Sequence, residues 1–389
     1  MWRNLASNVL TLLMVGLFLL AGLILFGQAQ YRASGPLQEA ICFQVPSGSN
    51  FSEVSASLAD QNAINSPSLF RLGVDYAGKD GDLKAGSFLI EPGASMETIV
   101  DQVTRGGAST CGSEIVYRIG VTRLIIDVRE MDPTTTRFEE RASFNPAEDA
   151  IPAAYNEFKA KPDTRFRIAM AEGVTSWQVV DALSRMDILT GEPGERPAEG
   201  LLAPDSYDVT PGTTRLSLLE EMQARQQTRL TDAWLTREDG LPISSPMELL
   251  TLASIIEKET AVAEERGQVA SVFVNRLNQG IRLQTDPTVI YGITRGQGTL
   301  GRGIRQSELR RETPWNTYVI DGLPPTPIAN PGLAALEAAA NPDETAYIFF
   351  VADGTGGHAF AETLAEHNRN VAAWREIERS RVRSLTDDN

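Results

Sequence analysis

Hydrophobic positions follow three rhythms along this chain. From Val9 to Phe26 they are continuous: VLTLLMVGLFLLAGLILF carries no charge, and Thr11 is its only polar side chain. Eighteen residues of helix rise roughly 27 Å, close to the hydrocarbon thickness of a bilayer. A membrane-spanning helix is therefore predicted over residues 9–28. A secretory leader is the competing reading, because Gly27-Gln28-Ala29 has the small-x-small form of a cleavage site. Leaders usually have a shorter apolar core, which favours an uncleaved anchor. Arg3 and the free amine precede the span and place residues 1–8 in the cytoplasm, while Arg32 just beyond works against that orientation. With no second run of this kind, a single-pass protein of the cytoplasmic (inner) membrane is expected, its bulk periplasmic from about Tyr31.

The second rhythm is short and mixed. Ile41 to Val45 reads as a strand, Pro46-Ser47-Gly48 as a turn, and Val54, Leu58 and Ala59 as one face of a helix. Asn65-Ser66-Pro67 starts a second helix with Leu69, Phe70 and Val74 on its apolar side. A strand, Ala85 to Ile90, and a helix with Met96, Ile99, Val100 and Val103 complete a first module. Part of the pattern returns later: Arg165 to Met170 is strand-like, Glu172-Gly173-Val174-Thr175 is a turn, and Val179, Val180 and Leu183 begin a helix. Between the two, Asp127 to Pro162 lacks apolar periodicity and contains Pro133, three threonines and Pro146, so 121–164 reads as an insertion or linker.

The third rhythm is helical and dense. A long polar helix is predicted from about Leu216 to Thr236. Ser245-Pro246-Met247-Glu248 is a capping box with proline at the first helical position. The helix it opens has a stripe of Leu249, Leu252, Ala253 and Ile256. A following helix carries Val269, Val272, Phe273 and Leu277 and stops at Gly280. Asn330-Pro331 is read as the cap of another helix through Ala340. A strand over Tyr347 to Val351, a glycine-rich turn from Asp353 to Gly357 and a last helix after Thr363 close the chain.

Length and charge narrow the function. A chain of 389 residues exceeds one ordinary core. A net charge of −16, without a basic cluster, argues against nucleic acid as a partner. Cys42 and Cys111 suit an oxidising compartment, where a disulfide between them is expected; spacing alone does not show that they meet. Neither belongs to a CxxC pair, and His358 and His367 are the only histidines. HExxH and GxSxG are absent, so zinc hydrolysis and serine-triad chemistry lack their parts, and neither metal nor cofactor is expected. Gly73-x4-Gly78-Lys79 approaches a phosphate loop, but Asp80 stands where Ser or Thr is required and no strand precedes it.

What remains is a carboxyl on a helix, in Leu252-Ala253-Ser254-Ile255-Ile256-Glu257-Lys258-Glu259-Thr260. Ala253, Ser254, Thr260 and Ala261 share the face of Glu257 and are small and uncharged. Such surroundings leave room for a substrate and raise a carboxyl pKa by desolvation, as a general acid requires. Lys258 and Glu259 point elsewhere. On spacing alone, a solvent-facing glutamate at the edge of a core stripe is the more economical reading.

The segment LASIIEKETAVAEERGQVASVFVNRLNQGIRLQTDPTVIYG, Leu252 to Gly292, closely resembles the core of the YceG family of endolytic murein transglycosylases. Thr313-Pro314-Trp315-Asn316-Thr317-Tyr318, Gly322-Leu323-Pro324-Pro325, Ile328-Ala329-Asn330-Pro331-Gly332 and Phe350-Val351-Ala352-Asp353-Gly354, with Gly357-His358 and His367-Asn368, extend the likeness. The region from Arg105 to Pro162 departs from the family, being longer and less patterned.

The resemblance implies an α+β fold: one N-terminal transmembrane helix, a LysM-like subdomain over 37–120, a connecting β/α region over 165–215 and a mixed α/β catalytic domain over 216–389. It makes Glu257 the catalytic acid and Asn275, Gln284, Asp286, Tyr291, Asn316, Tyr318 and Asn330 the substrate cleft. Each polar residue also has a plainer reading as cap, turn or helix surface: capping explains Asn330, and a turn before Pro287 explains Asp286. His358 is read as structural and His367 as a helix-surface residue. The implied reaction cleaves the MurNAc-GlcNAc β-1,4 bond and closes a 1,6-anhydroMurNAc end, with one carboxyl serving as acid and then as base. Ordinary glycosidases need two. The implied partners are peptidoglycan glycan strands, peptidoglycan synthases and the membrane through one helix, and the role is strand termination in wall assembly. Two alternatives stand beside it: a non-catalytic glycan-binding tether that scaffolds synthases, and a hydrolase with Glu257 as acid and Asp286 as second carboxylate.

Overall fold

The computed structural model describes residues 2–105 and 110–387. Met1 and the side chain of Arg3, on which the reading of 1–8 rests, lie outside the described residues, as does 106–109 at the start of the departing region. The chain folds as a mixed α+β protein in two compact units, one of 1–115, 127–144 and 151–165, the other of 116–126, 145–150 and 166–389.

The first unit begins with α1 (Trp2–Arg32), longer than the predicted span. Leu10–Arg32 is long and apolar enough to cross a membrane, and its apolar side chains are exposed. Its last turn is anchored: Tyr31 lies in the space left by Gly73, and Arg32 Nε meets Glu97 Oε1 at 3.2 Å. Then come β1 (Ile41–Val45), α2 (Phe51–Asp60), α3 (Pro67–Tyr76), β2 (Gly86–Ile90) and α4 (Met96–Thr104). Asn50, Ser66 and Ser95 cap the three helices with side-chain oxygens, which satisfies otherwise orphaned N–H groups. β1 and β2 pair antiparallel with Phe43 opposite Phe88. Phe43, Val45, Phe88 and Ile90 meet Val54, Leu58, Phe70, Val74, Ile99 and Val103 in one core. Cys42 and Cys111 are joined in a disulfide with Cα atoms 5.8 Å apart.

The segment 121–164 is not an unpatterned linker. It carries β4 (Leu124–Asp132) and β5 (Arg137–Phe144), after β3 (Ser113–Ile119), and α5 (Ala153–Ala160). Leu124, Ile126 and Val128 alternate as buried positions, but the positions facing the other way include Asp127 and Arg129. Arg129 pairs at 2.6 Å with the buried Glu114, so charge there conceals strand character. β5 is mostly charged and exposed, as suits a sheet edge. With β6 (Arg165–Met170) and β7 (Ser206–Val209) on either side of α6 (Ser176–Ser184), these strands follow the order β5-β4-β3-β6-β7.

The second unit continues with α7 (Arg215–Leu235), α8 (Pro246–Glu259), α9 (Arg266–Asn278), α10 (Asp286–Thr294), α11 (Gln306–Leu309), α12 (Leu333–Ala340), β8 (Phe349–Ala352), β9 (His358–Ala361) and α13 (Leu364–Asp387). Every residue of α8 from Leu249 to Ile256 is buried, not only the predicted stripe. α7, α9, α10 and α12 all contact it, so a helix read as amphipathic is central. Phe273, Leu336 and Ala339 complete its core, and Phe350 and Phe360 of the β8–β9 pair close against it. His367 is not simply a surface residue: its ring stacks on Phe349 with centroids 4.9 Å apart.

Candidate active site

α8 starts where Ser245 Oγ accepts from Glu248 N at 3.2 Å and Pro246 occupies the first helical position. It ends at Glu259, because Thr260 turns extended (φ −138°). Its last three side chains leave one buried rod in three directions, and each finds a different partner.

Glu257 is half-buried, and its Oε2 accepts from the backbone N–H of Gly332 at 3.1 Å. Gly332, not Asn330, is the N-cap of α12. A side chain at Gly332 would collide with the carboxyl of Glu172, so two acidic groups converge on one glycine. Burial pushes the Glu257 carboxyl up to about 7, and the charge of Glu172 adds to the rise. The Gly332 N–H, Arg266 and Lys258 oppose it. Lys258 Nζ donates to Gly173 O at 3.1 Å. Nε of Arg266, at the start of α9, is buried with no hydrogen-bond partner among the described residues.

Asn330 builds this corner without facing it. Fully buried, it donates from Nδ2 to Val174 O at 2.8 Å and accepts from Leu202 N at 2.9 Å. Its backbone pairs with the same turn, Gly173 N to Asn330 O at 3.0 Å and Asn330 N to Val174 O at 2.9 Å. These four bonds bring Glu172 against Gly332. Ala253 and Ser254, read as room for substrate, are fully buried, and Ser254 Oγ accepts from Ile328 N at 3.0 Å.

Glu259 does not lie free on the far side. Thr285 Oγ1 donates to its carboxyl, and burial raises its pKa, with Asp286 adding to the rise. Asp286 in turn accepts from Tyr318 OH at 2.7 Å. Two of the predicted cleft residues thus gather around Glu259. Tyr291 belongs elsewhere: its OH donates to Glu199 Oε2 at 3.2 Å, while Glu199 Oε1 accepts from Ser176 N at 2.7 Å. Burial raises the Glu199 pKa. Asn275 Nδ2 donates to Thr345 O and Tyr347 O at 2.8 and 2.9 Å, and the buried Asn316 donates to Arg311 O at 2.7 Å, so both tie backbone together. Gln284 is exposed in a left-handed conformation (φ +51°), which is uncommon for a residue with a side chain.

Glu172, Glu199 and Arg266 escaped the sequence reading. A signal was present: Glu172 and Glu199 each precede a glycine at positive φ, +74° at Gly173 and +87° at Gly200. A carboxylate before an obligatory glycine, twice in one region, marks two built turns.

A carboxyl with a raised pKa at the end of a buried helix, beside a second acidic group, marks this corner as a candidate functional site. The chain belongs to the YceG-like family, whose model matches residues 43–373. It is similar to the endolytic murein transglycosylase of Bacillus subtilis (strain 168), 28% identical over 352 residues, covering 90% of this chain and 89% of that one. The endolytic murein transglycosylase of Streptococcus pneumoniae serotype 2 (strain D39) is 29% identical over 84% of this chain and 57% of its own length. A crystal structure of a yceG-like protein, lmo1499 from Listeria monocytogenes, aligns with 85% of this chain and 99% of its own at 26% identity and a TM-score of 0.44.

Proposed function

We propose that this chain is an endolytic murein transglycosylase that cuts the MurNAc-GlcNAc β-1,4 bond and leaves a 1,6-anhydroMurNAc end. The observation that carries this reading is Glu257, a carboxyl pushed up to about 7 and therefore still partly protonated near neutral pH. In the proposed sequence, Glu257 protonates the glycosidic oxygen as the C1–O bond breaks, and the N-acetyl group of MurNAc supports the developing cation. The Glu257 carboxylate then takes the proton of the C6 hydroxyl as that oxygen closes on C1. One residue acts twice and no water enters. The Gly332 N–H stabilises the carboxylate between the two steps. Asp286, the second carboxylate of the hydrolase reading, bonds Tyr318 and belongs with Glu259.

In this reading α1 anchors the protein in the cytoplasmic membrane with its N-terminus inside, and the first unit includes a LysM-like glycan-binding subdomain. Strand termination next to peptidoglycan synthases is the proposed setting. The test is mass spectrometry of products from purified glycan strands incubated with the full chain in detergent. Anhydro ends support the reading, and reducing ends indicate a hydrolase. Strand binding without products returns the tether.

A further inference from the structure

Cutting inside a strand requires a grip on the sugars that flank the broken bond, so this inference rests on the proposed function. Three residues beyond Glu257, Thr260 lies just past the end of α8, where the backbone turns extended. There it borders a cavity of about 470 Å³, within the usual range of small-molecule sites. Glu259 and Ala261 line the cavity from the same chain segment, Gly356 and His358 from the β8–β9 hairpin and its turn, and Trp374 from α13. None of these residues has a part in the chemistry assigned to Glu257.

Their chemistry is selective. Gly356 sits at φ +109° with open space where a side chain would stand, so a ligand can reach the backbone there. His358 is held by Glu265, whose Oε1 accepts the His358 backbone N–H at 2.9 Å and whose Oε2 lies 2.8 Å from Nδ1. Those two contacts fix the orientation of the ring in the lining. The Glu259 carboxyl can accept from a hydroxyl or amide donor, while a lining without Lys or Arg offers a carboxylate no cationic partner. Trp374 adds an aromatic surface of the kind that the apolar C–H face of a pyranose covers.

We propose that this pocket is a binding subsite for a neutral N-acetylhexosamine ring of the strand, adjoining the sugar on which Glu257 acts. The acidic stem peptide finds no cationic partner in the lining.

The experiment uses the full chain in detergent and glycan strands stripped of peptide, with peptide-bearing strands in parallel. Trp374→Ala is expected to raise KM on the order of tenfold, the effect of truncating an aromatic anchor, with kcat within about twofold. Trp374→Phe should restore most of the affinity. Trp374→Leu, which keeps apolar bulk beside Gly354, should not. The same losses should appear in the affinity of an inactive Glu257→Gln protein for stripped strands. Equal KM for the Leu and Phe variants overturns the proposal, and so does a loss confined to peptide-bearing strands. If the wild type makes no anhydro ends but strand binding still depends on the aromatic ring, the cleavage reading fails and the subsite stands.

Discussion

Gly332 offers its backbone N–H to Glu257 Oε2 at 3.1 Å, and the space where its side chain would be is filled by the carboxyl of Glu172. A residue with no side chain thus serves two acidic groups, one by hydrogen bond and one by vacancy. Gly332→Ala tests the second service. The obstructing atoms are the far end of a flexible, exposed side chain, so Glu172 can swing away and stability should fall by about 1 kcal/mol or less. Activity should respond more than stability does.

The direction of that response follows from charge. Glu172 raises the Glu257 pKa, so removing or displacing it lowers that pKa. Wild-type kcat should fall as pH rises through about 7, where Glu257 loses its proton. In Glu172→Gln, and in Gly332→Ala, the same limb should move to lower pH. An unmoved limb in both variants, measured as kcat from pH 5 to 9, would show that Glu172 does not act on Glu257.

Glu257→Gln should reduce anhydro-end release a hundredfold or more, the scale of general acid–base catalysis. Its effect on stability depends on pH. With the folded pKa raised from 4.5 to about 7, the fold favours protonated Glu257. That contribution is fully present below about 4.5 and is lost as pH rises through about 7. Glutamine does not ionise, so the variant should match the wild type at pH 4 and exceed it at pH 8, by on the order of 1–3 kcal/mol. Urea melts at the two pH values decide this. Glu259→Gln is no silent control, since Glu259 is bonded to Thr285 and lines the neighbouring pocket.

Asn330→Ala should be costly for the fold. It strips Leu202 N of its acceptor and removes a donor from Val174 O, both within the buried corner. Leaving buried backbone groups short of partners costs about 2–4 kcal/mol here. Asn330→Asp restores the acceptor only and should be nearly as damaging; a melting temperature equal to wild type for either variant would refute the strut.

Cys42→Ala with Cys111→Ala should destabilise the first unit by up to roughly 4 kcal/mol, because the bridge closes a loop with a sequence separation of 69. The matching chemical test is thiol labelling of denatured wild-type protein purified without reductant, in which no free thiol is expected.

Local signals carried much of this protein into view. The continuous apolar run before Gly27, the serine starts at Ser66 and Ser245, and the helical spacing of Val54, Leu58 and Val74 are properties of neighbouring residues. The elements they predict are those observed. The same signals put Glu257 at the end of an apolar helix, but only the family resemblance made it the candidate acid.

Tertiary contact decided the rest. Burial all around α8 depends on four helices brought from up to a hundred residues away, so its own periodicity understated it. β4 hid because its charged positions are satisfied by partners distant in sequence, as Arg129 is by Glu114. Asn330 looked like a cap and is a strut to residues 128 and 156 positions away. The pKa of Glu257 depends on Glu172, Arg266 and Gly332, each brought to it by the fold. Periodicity and capping act within a few residues and can be read along the chain. Desolvation and long-range hydrogen bonds arise only when distant segments meet, and they set the chemistry of the carboxyl that the sequence could only locate.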